Sequence, residues 1–533
     1  MQRAVLLACA AIVWLWASWW MGDVWRVARE HSYFAVDTTL MHFLWQQPFG
    51  IVWIAGRAML TLFRWPLLGG AAVAMLLTLC SELTAYCLRL RPRWHAAAWL
   101  VAAAWMLWVS LMGLHLYFYA EPGRPLGVLL LATLVAAVDA CVIWSFRSSR
   151  RKAACRMEPR RQAVHSLAAG AKGKAAATNN IWCRARAIAP QLCTVLIVAT
   201  GAVAAGLVTY NRYPYLRPLA TMQCQLMQAD YDGMARTARA NATLSYRPLA
   251  AYYAIALRHT GHLTDALFDI RLDFDSLLVR NRSGEGDTGS KLYEMDADYH
   301  AGLFLPATRV AMEELTMDGP SLHALKMLAR TALLRGEWHL ADKYLTVISR
   351  HPFEDSFTRR YRPMVGRADL VAADPEFARL RLTEPVADSF ESSYEEPVFL
   401  GYTATLTAAR SREALELSLM ANLYSKRMPD FLARCQPLAG TTPPLTIAQG
   451  LATQSLKQPA VVQAFPSVGM HVQTYRQWLR AVAPYMSDRA GHARELFTSN
   501  AGYYPYYYFF GNLKATRRRT SGDTDASVSA GVN

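Results

Sequence analysis

Acidic residues are scarce in the first part of this chain, and long apolar runs are missing from the rest. Residues 1–209 hold 7 Asp and Glu against 20 Lys and Arg, whereas residues 210–533 hold 33 against 36. The formal net charge of +16 therefore belongs almost entirely to the first part. The near-neutral remainder offers no extended positive face, which excludes nucleic acid as a partner. H-E-x-x-H, G-x-S-x-G and C-x-x-C are all absent, so zinc-peptidase, nucleophile-elbow and dithiol chemistries have no signature. The expectation is a protein with no catalytic residue, no metal, no cofactor and no enzyme activity. Charge in general is low, 18% of residues, while apolar residues make up 53% and tryptophan occurs 16 times. That balance favours a membrane protein over a soluble one.

What is present in the first part is a series of uncharged runs. Ala4–Met21 is 18 residues long, enough to cross a bilayer core of about 30 Å at about 1.5 Å per residue. Its end, "WLWASWW", carries an interfacial tryptophan belt and no small-x-small cleavage site, so it reads as an uncleaved span. Further spans are expected at 65–86, 95–119, 126–146 and 188–210. Between the first two, residues 41–63 are interrupted by Arg57 and begin with "QQPFG", which predicts an amphipathic helix lying at the interface. Orientation follows from basic residues. Arg89, Arg91 and Arg93 flank the turn after the second span, and residues 147–187 carry 11 Lys or Arg against one Glu. Both loops should be cytoplasmic, the N-terminus with them, and residues 211–514 extracytoplasmic. Arg57 and Arg64 then fall on the outer side, where they would snorkel. The centre of the basic loop, "AAGAKGKAAATNN", and the polar tail 515–533 are expected to be disordered.

Past Tyr210 the apolar residues recur every three or four positions, which predicts amphipathic helices. In "SLHALKMLARTALLRGEWHLADKYLTVISRHPF", placing Gly336 at a turn aligns Leu325, Leu328, Ala329 and Ala332 on one helix with Trp338, Ala341, Leu345 and Ile348 on the next. Small residues at the crossing, a glycine turn and the closing Pro352 resemble a tetratricopeptide repeat. A second copy sets Gly261 at the same turn, with Tyr253, Ala254 and Leu257 before it and Leu263, Ala266 and Ile270 after it. Weaker pairs lie near 222–240 and in "SREALELSLMANLYSKRMPDFLARC". One helix pair cannot bury its apolar face, so several must stack into an α-solenoid. The fold expected is all-α: a bundle of about five spans followed by degenerate helical repeats, with an insertion at "VRNRSGEGDTGSK".

The multi-span start, the "QQPFG" segment, "ALRHTGHLTDALFDI", "ALKMLARTALLRGEWHLADKYLTVI", "DPEFARLR" and the Tyr-rich "YYPYYYFFG" occur in this order. This order is similar to a family of multi-span membrane proteins of Bacteroidota-type bacteria defined by a domain of unknown function with repeat-like helices. The resemblance covers most of the chain. It implies a bacterial inner membrane and brings no activity, substrate or site residue with it.

Several residues invite a chemical reading. Glu82 and Asp139 are acids inside spans, and intramembrane acids are functional suspects. Glu82 lies seven residues before Arg89, two helical turns on one face, so an ion pair would account for it. "GEGDTG" matches G-x-G-x-x-G, but its two acids would repel a phosphate, and a loop is the better reading. His259 and His262 in "HTGH" straddle the glycine turn with no third ligand near, and read as solvated turn residues. Cys224 and Cys435 stand alone in the second part and would pair only if the array curls. "GYYPYYYFFG" reads as a packing cap, with an aromatic binding platform as the alternative. Taken together these readings describe a membrane-anchored scaffold with the lipid bilayer and a protein as its partners. The alternative is a polytopic transporter or a lipid- or glycan-processing membrane protein with accessory repeats.

Overall fold

The computed structural model describes residues 2–91, 94–116, 122–157, 180–274, 290–385 and 411–511. The chain divides into two compact units, Met1–Tyr213 and Pro214–Asn533. Both are helical, and no strand occurs among the described residues.

The first unit contains α1 (Gln2–Leu15), which continues as a π-helical segment Trp16–Trp20, then α2 (Gly22–Glu30), α3 (Thr38–Gln46), α4 (Gly50–Thr61) and α5 (Pro66–Cys87). It closes with α6 (Leu100–Met112), led in by a 3-10 segment at His95–Trp99, α7 (Arg124–Met157) and α8 (Asn180–Arg212). Five stretches are long and apolar enough to cross a membrane: Arg3–Trp20, Pro66–Cys87, His95–Leu116, Arg124–Ser148 and Gln191–Arg212. They coincide with the five expected spans. Their outward faces are apolar too: Leu134, Val135, Val138, Val142, Trp144 and Phe146 of α7 are all exposed. A contiguous apolar surface of this kind is unfavourable in water and neutral in lipid.

Residues 41–63 depart from expectation. They form two helices, broken at Gln47–Phe49, where Phe49 takes the left-handed conformation with φ 61°. A 12-residue helix such as α4 reaches only about 18 Å, short of a bilayer core of about 30 Å. Nor does α4 lie apart from the bundle. It packs along α7, where a Cβ on Gly56 would stand 2.2 Å from the Gly123 carbonyl oxygen and one on Gly127 2.1 Å from that of Val52. Only glycine permits so close a backbone approach. Arg57 does not snorkel: it is 3% exposed, and its Nη1 donates to the Tyr33 carbonyl at 3.1 Å. The tight α4–α7 contact carries Arg57 inward, where a backbone acceptor satisfies it. The basic stretch 147–187 is also more helical than expected, since α7 runs on to Met157 and α8 starts at Asn180. Residues 158–179, including nearly all of "AAGAKGKAAATNN", lie outside the described residues, as do "GEGDTG" and the tail 515–533.

The second unit begins with α9 (Leu216–Met227), α10 (Tyr231–Ala240), α11 (Arg247–Thr260) and α12 (Leu263–Ala266), and continues after the undescribed segment with α13 (Glu294–Ala301) and α14 (Phe304–Met317). Next come α15 (Leu322–Leu334), α16 (Trp338–Ser349), α17 (Asp355–Tyr361), α18 (Ala368–Ala373) and α19 (Pro375–Arg381). The last group is α20 (Arg412–Tyr424), α21 (Met428–Arg434), α22 (Leu445–Ser455), α23 (Ala460–Ala464), α24 (Gly469–Val482), α25 (Arg489–Asn500) and α26 (Tyr504–Phe510). Neighbours in sequence pack as neighbours in space, as in α9–α10, α10–α11, α13–α14, α14–α15 and α15–α16.

Both glycine turns are where the pattern places them. Gly336 has φ 73° and Gly261 φ 78°, a conformation that favours glycine and that closes each preceding helix through Glu337 N–H to Ala332 O and His262 N–H to Leu257 O, both 2.8 Å. Ser321 caps α15 by accepting from Ala324 N at 3.1 Å. Of α16 only Ala341, Leu345 and Ile348 are buried, whereas α11, α13, α15 and α22 are buried almost throughout. The second copy is cut short. Ala266 is buried as expected, but α12 spans four residues and gives way to a 3-10 turn at Leu267–Asp269. That turn lets Phe268 meet the end of the chain, its ring 4.7 Å from Tyr507 and 5.2 Å from Tyr504, while its carbonyl accepts from Gly502 N at 2.9 Å. The Tyr-rich end therefore packs: Tyr504 and Tyr507 donate to the Leu423 and Tyr424 carbonyls at 3.1 and 2.6 Å. Cys224 and Cys435 are both buried and do not pair with each other in a disulfide.

Ala341 is fully buried where α16 crosses α15, so a larger side chain there overpacks the contact. Ala341→Leu is expected to cost about 1–3 kcal/mol. Limited proteolysis of membranes carrying it should remove the chain beyond about Pro214 while a fragment ending near Tyr213 survives. An unchanged digest would show that this crossing carries little of the second unit's stability.

Candidate functional site

A polar cluster of the second unit grows from the start of α19. Asp374 caps this helix, its Oδ1 accepting from Glu376 N at 3.0 Å and Phe377 N at 3.2 Å, and Pro375 occupies the first helical position. The cap aims Glu376 into the fold. Its Oε1 accepts from Tyr299 Oη at 2.7 Å, and its Oε2 accepts from Tyr361 Oη at 2.8 Å and Arg360 Nη2 at 2.9 Å. Arg330 Nη1 stands 3.5 Å from Oε1, with its guanidinium 4.7 Å over the Tyr299 ring. Burial alone would raise the Glu376 pKa, but Arg330, the two tyrosine hydroxyls and Arg360 together hold it below its ordinary value. The same burial and the Glu376 charge push both tyrosines up. With its lone pairs committed to four donors, this carboxylate is a lock between helices and has no capacity left to accept a substrate proton.

Beside the lock lies a stack of neutral rings. His300 meets the Tyr299 ring edge-on at 5.1 Å, and its Nδ1 is 2.9 Å from His259 Nε2. His259 in turn stacks on Tyr231 at 4.0 Å with planes 5° apart. His259 is thus a core residue and not the solvated one expected; His262, past the glycine, is the exposed partner. The reason is the helix register, since α11 runs through His259 and ends before Gly261. Burial, with Arg258 and Arg379 nearby, pushes His259 down to about 3, and burial with His259, Arg330 and Arg258 pushes His300 well below the histidine range. Two neutral imidazoles then share one hydrogen between their facing nitrogens.

At the mouth of the stack are Tyr231, half-buried, Arg258, half-buried, and Arg379, exposed. Arg258 donates to Thr383 Oγ1, and Arg379 Nη2 donates to the Arg258 carbonyl at 3.2 Å. No group of three metal-ligating side chains occurs among the described residues.

The other residues singled out in the sequence are placed elsewhere. Gly261, Ala266, Gly336 and Ala341 are turn and packing positions. Glu82 does not pair with Arg89, because α5 ends at Cys87 and Arg89 takes φ 51°, off the helical face. Instead Glu82 Oε2 is 3.3 Å from His95 Nε2, and Oε1 accepts from Trp99 Nε1 at 3.3 Å. Glu82 is among the lining residues of a groove of about 790 Å³ between α1 and α5, with Leu7, Ala11, Trp14, Ala71 and Met75 among the others. Asp139 is exposed on α7, and no hydrogen bond or ion pair joins it to Glu82. A buried charged pair that the hydropathy reading passed over lies in the same unit, Arg29 and Glu30 at 2.8 Å. In the second unit the one legible trace of the cluster was the charge-dense, capped "DPEFARLR".

Residues 119–511 match a family described as Family of unknown function (DUF6057). The chain belongs to this family. The matched region takes in the last two candidate spans and the described part of the second unit as far as Gly511, so the polar cluster lies within the DUF6057 region and Glu82 outside it. No curated protein and no solved structure matches the chain.

The cluster sets an acid sensitivity. His259 titrates near 6.5 when unfolded and about 3 when folded, so the unfolded state binds more protons between these values. Its contribution is fully present above about pH 6.5 and falls as pH drops toward 3, with a slope up to about 1.4 kcal/mol per pH unit for one histidine. Glu376, held below its ordinary value, loses its contribution in the same direction, below about pH 4.5. Thermal unfolding of the second unit between pH 7 and pH 4 is expected to show this fall, and His259→Gln to flatten it; a profile unaltered by His259→Gln would remove the ring pair as its cause.

Proposed function

We propose that the protein is a membrane-anchored helical-repeat scaffold whose second unit holds a protein partner at the outer face of a bacterial inner membrane. The observation that carries this reading is the pairing of helices across left-handed glycine turns at Gly261 and Gly336, followed by side-by-side packing of successive helices. Such a framework presents surface along its outer helices while its inner ones are fully occupied with one another, which suits holding better than turnover. Tetratricopeptide-like spacing, the positive-inside bias of residues 147–187 and the resemblance to Bacteroidota-type membrane proteins support the same placement, with the second unit in the periplasm. The inner helices enclose a polar network, so a partner would meet the outer helices and the residues at the cluster's mouth.

A second reading rests on one feature. The apolar groove between α1 and α5 has Glu82 among its lining residues, an acid beside an apolar groove as in a membrane protein that handles lipid or transports a solute.

An alkaline phosphatase fused after residue 230 is expected to be active and one fused at residue 165 silent; the reverse would overturn the orientation. Crosslinking in intact cells followed by purification from detergent should then recover one protein with the full chain and lose it when residues 214–511 are deleted. Recovery of lipid alone would favour the second reading.

A further inference from the structure

Arg258 and Arg379 differ from the arginines around them. Arg330 and Arg360 each have a carboxylate oxygen within 3.5 Å, and so does Arg381, which pairs with Glu384 at 3.4 Å. Among the described residues Arg258 and Arg379 have no carboxylate at that distance; their only bonds are to the Thr383 hydroxyl and to a backbone carbonyl. Arg258 Nη1 is buried with no hydrogen-bond partner. A buried guanidinium nitrogen in that state costs free energy that an incoming acceptor would recover. Arg379 Nη2 reaches the Arg258 carbonyl, and burial followed by Arg379 pulls Arg258 below the ordinary arginine range, with Tyr231 and the exposed Glu413 opposing in part. The Tyr231 hydroxyl lies in the field of the same two arginines, of Arg330 and of Glu376, and makes no hydrogen bond among the described residues. Its ring is fixed by the stack on His259. Glu376 is already committed to Tyr299, Tyr361, Arg360 and Arg330, so it cannot serve as the counter-charge.

We propose that Tyr231, Arg258 and Arg379 form a binding site for a carboxylate ligand. Two guanidinium groups supply N–H donors to the carboxylate oxygens, and the tyrosine hydroxyl donates a further hydrogen bond from a ring that needs no reordering. Each planar guanidinium matches the two oxygens of a planar carboxylate, and Glu413, which opposes the positive charge in part, disfavours a ligand with its charge as concentrated as phosphate. The site opens to solvent through Arg379 and half-exposed Tyr231, so both a glutamate or aspartate on a protein segment and a free dicarboxylate can reach it. The site stands whether or not the protein is a scaffold.

The test is calorimetric titration of the full-length protein in detergent with an N-acetylated, C-amidated tetraglutamate peptide, with glutarate, with inorganic phosphate and with tetralysine. At least one carboxylate probe is expected to bind, and phosphate and tetralysine to bind more weakly. Arg379→Gln, at an exposed position that leaves the fold intact, should weaken carboxylate binding about tenfold or more, and Tyr231→Phe should weaken it by a smaller factor. Arg367→Gln, which removes an exposed arginine paired with Asp369, should leave it unchanged. Tighter binding of tetraglutamate assigns the site to a protein segment, and tighter binding of glutarate to a small dicarboxylate. The proposal is overturned if neither carboxylate binds, if phosphate binds tighter than both, or if Arg379→Gln has no more effect than Arg367→Gln.

Discussion

The second unit is organised around the carboxylate of Glu376, which gathers Tyr299 from α13, Arg330 from α15 and Arg360 and Tyr361 from α17 onto the first turn of α19. A buried ion pair is seldom worth more than the apolar packing that could replace it, but leaving one partner behind costs about 3–5 kcal/mol. Such a network therefore adds little net stability and a great deal of selectivity. Any helix that slips by one residue withdraws a donor from Glu376 and strands a charge, so the helices are held to one register.

The neutral histidine pair and the unpaired arginines follow from that arrangement. The carboxylate takes up Arg330 and Arg360, leaving Arg258 and Arg379 with no carboxylate within 3.5 Å among the described residues, beside His259 and His300. Burial already favours the neutral imidazole, and those arginines favour it further. The edge of the structural lock is thus electropositive and carries a tyrosine hydroxyl that has not been used. A recognition site adjoining a rigid core gains from this, because its groups are already positioned when a ligand arrives.

In the first unit the governing constraint is different. Lipid gives helices no hydrophobic reason to associate, so contact depends on how closely backbones approach. Gly56, Gly123 and Gly127 supply that approach for α4 and α7, and the short α4 is held against α7. This also explains how Arg57 comes to be buried against the Tyr33 carbonyl.

Much of the architecture was legible in the residues alone. Runs of about 20 uncharged residues have one economical fate in lipid, and the five expected spans coincide with the five membrane-length helices. Gly261 and Gly336 read as turns because few other residues take φ near +75° without strain. Ala341 read as a crossing because of its spacing from Gly336, and the aromatic end read as packing because a terminal repeat must close an otherwise open core. These are local constraints, set within one or two helical turns. Only the tertiary structure decided what depends on partners distant in sequence: Glu376 meets Tyr299 across 77 residues, His259 meets His300 across 41, and Arg258 meets Thr383 across 125. A histidine two residues before a glycine is solvated or buried according to which helix lies against it, and Glu82 turned to His95 because the chain left the helical path before Arg89. Periodicity reports which face of a helix is covered; it carries no information about which charge covers it.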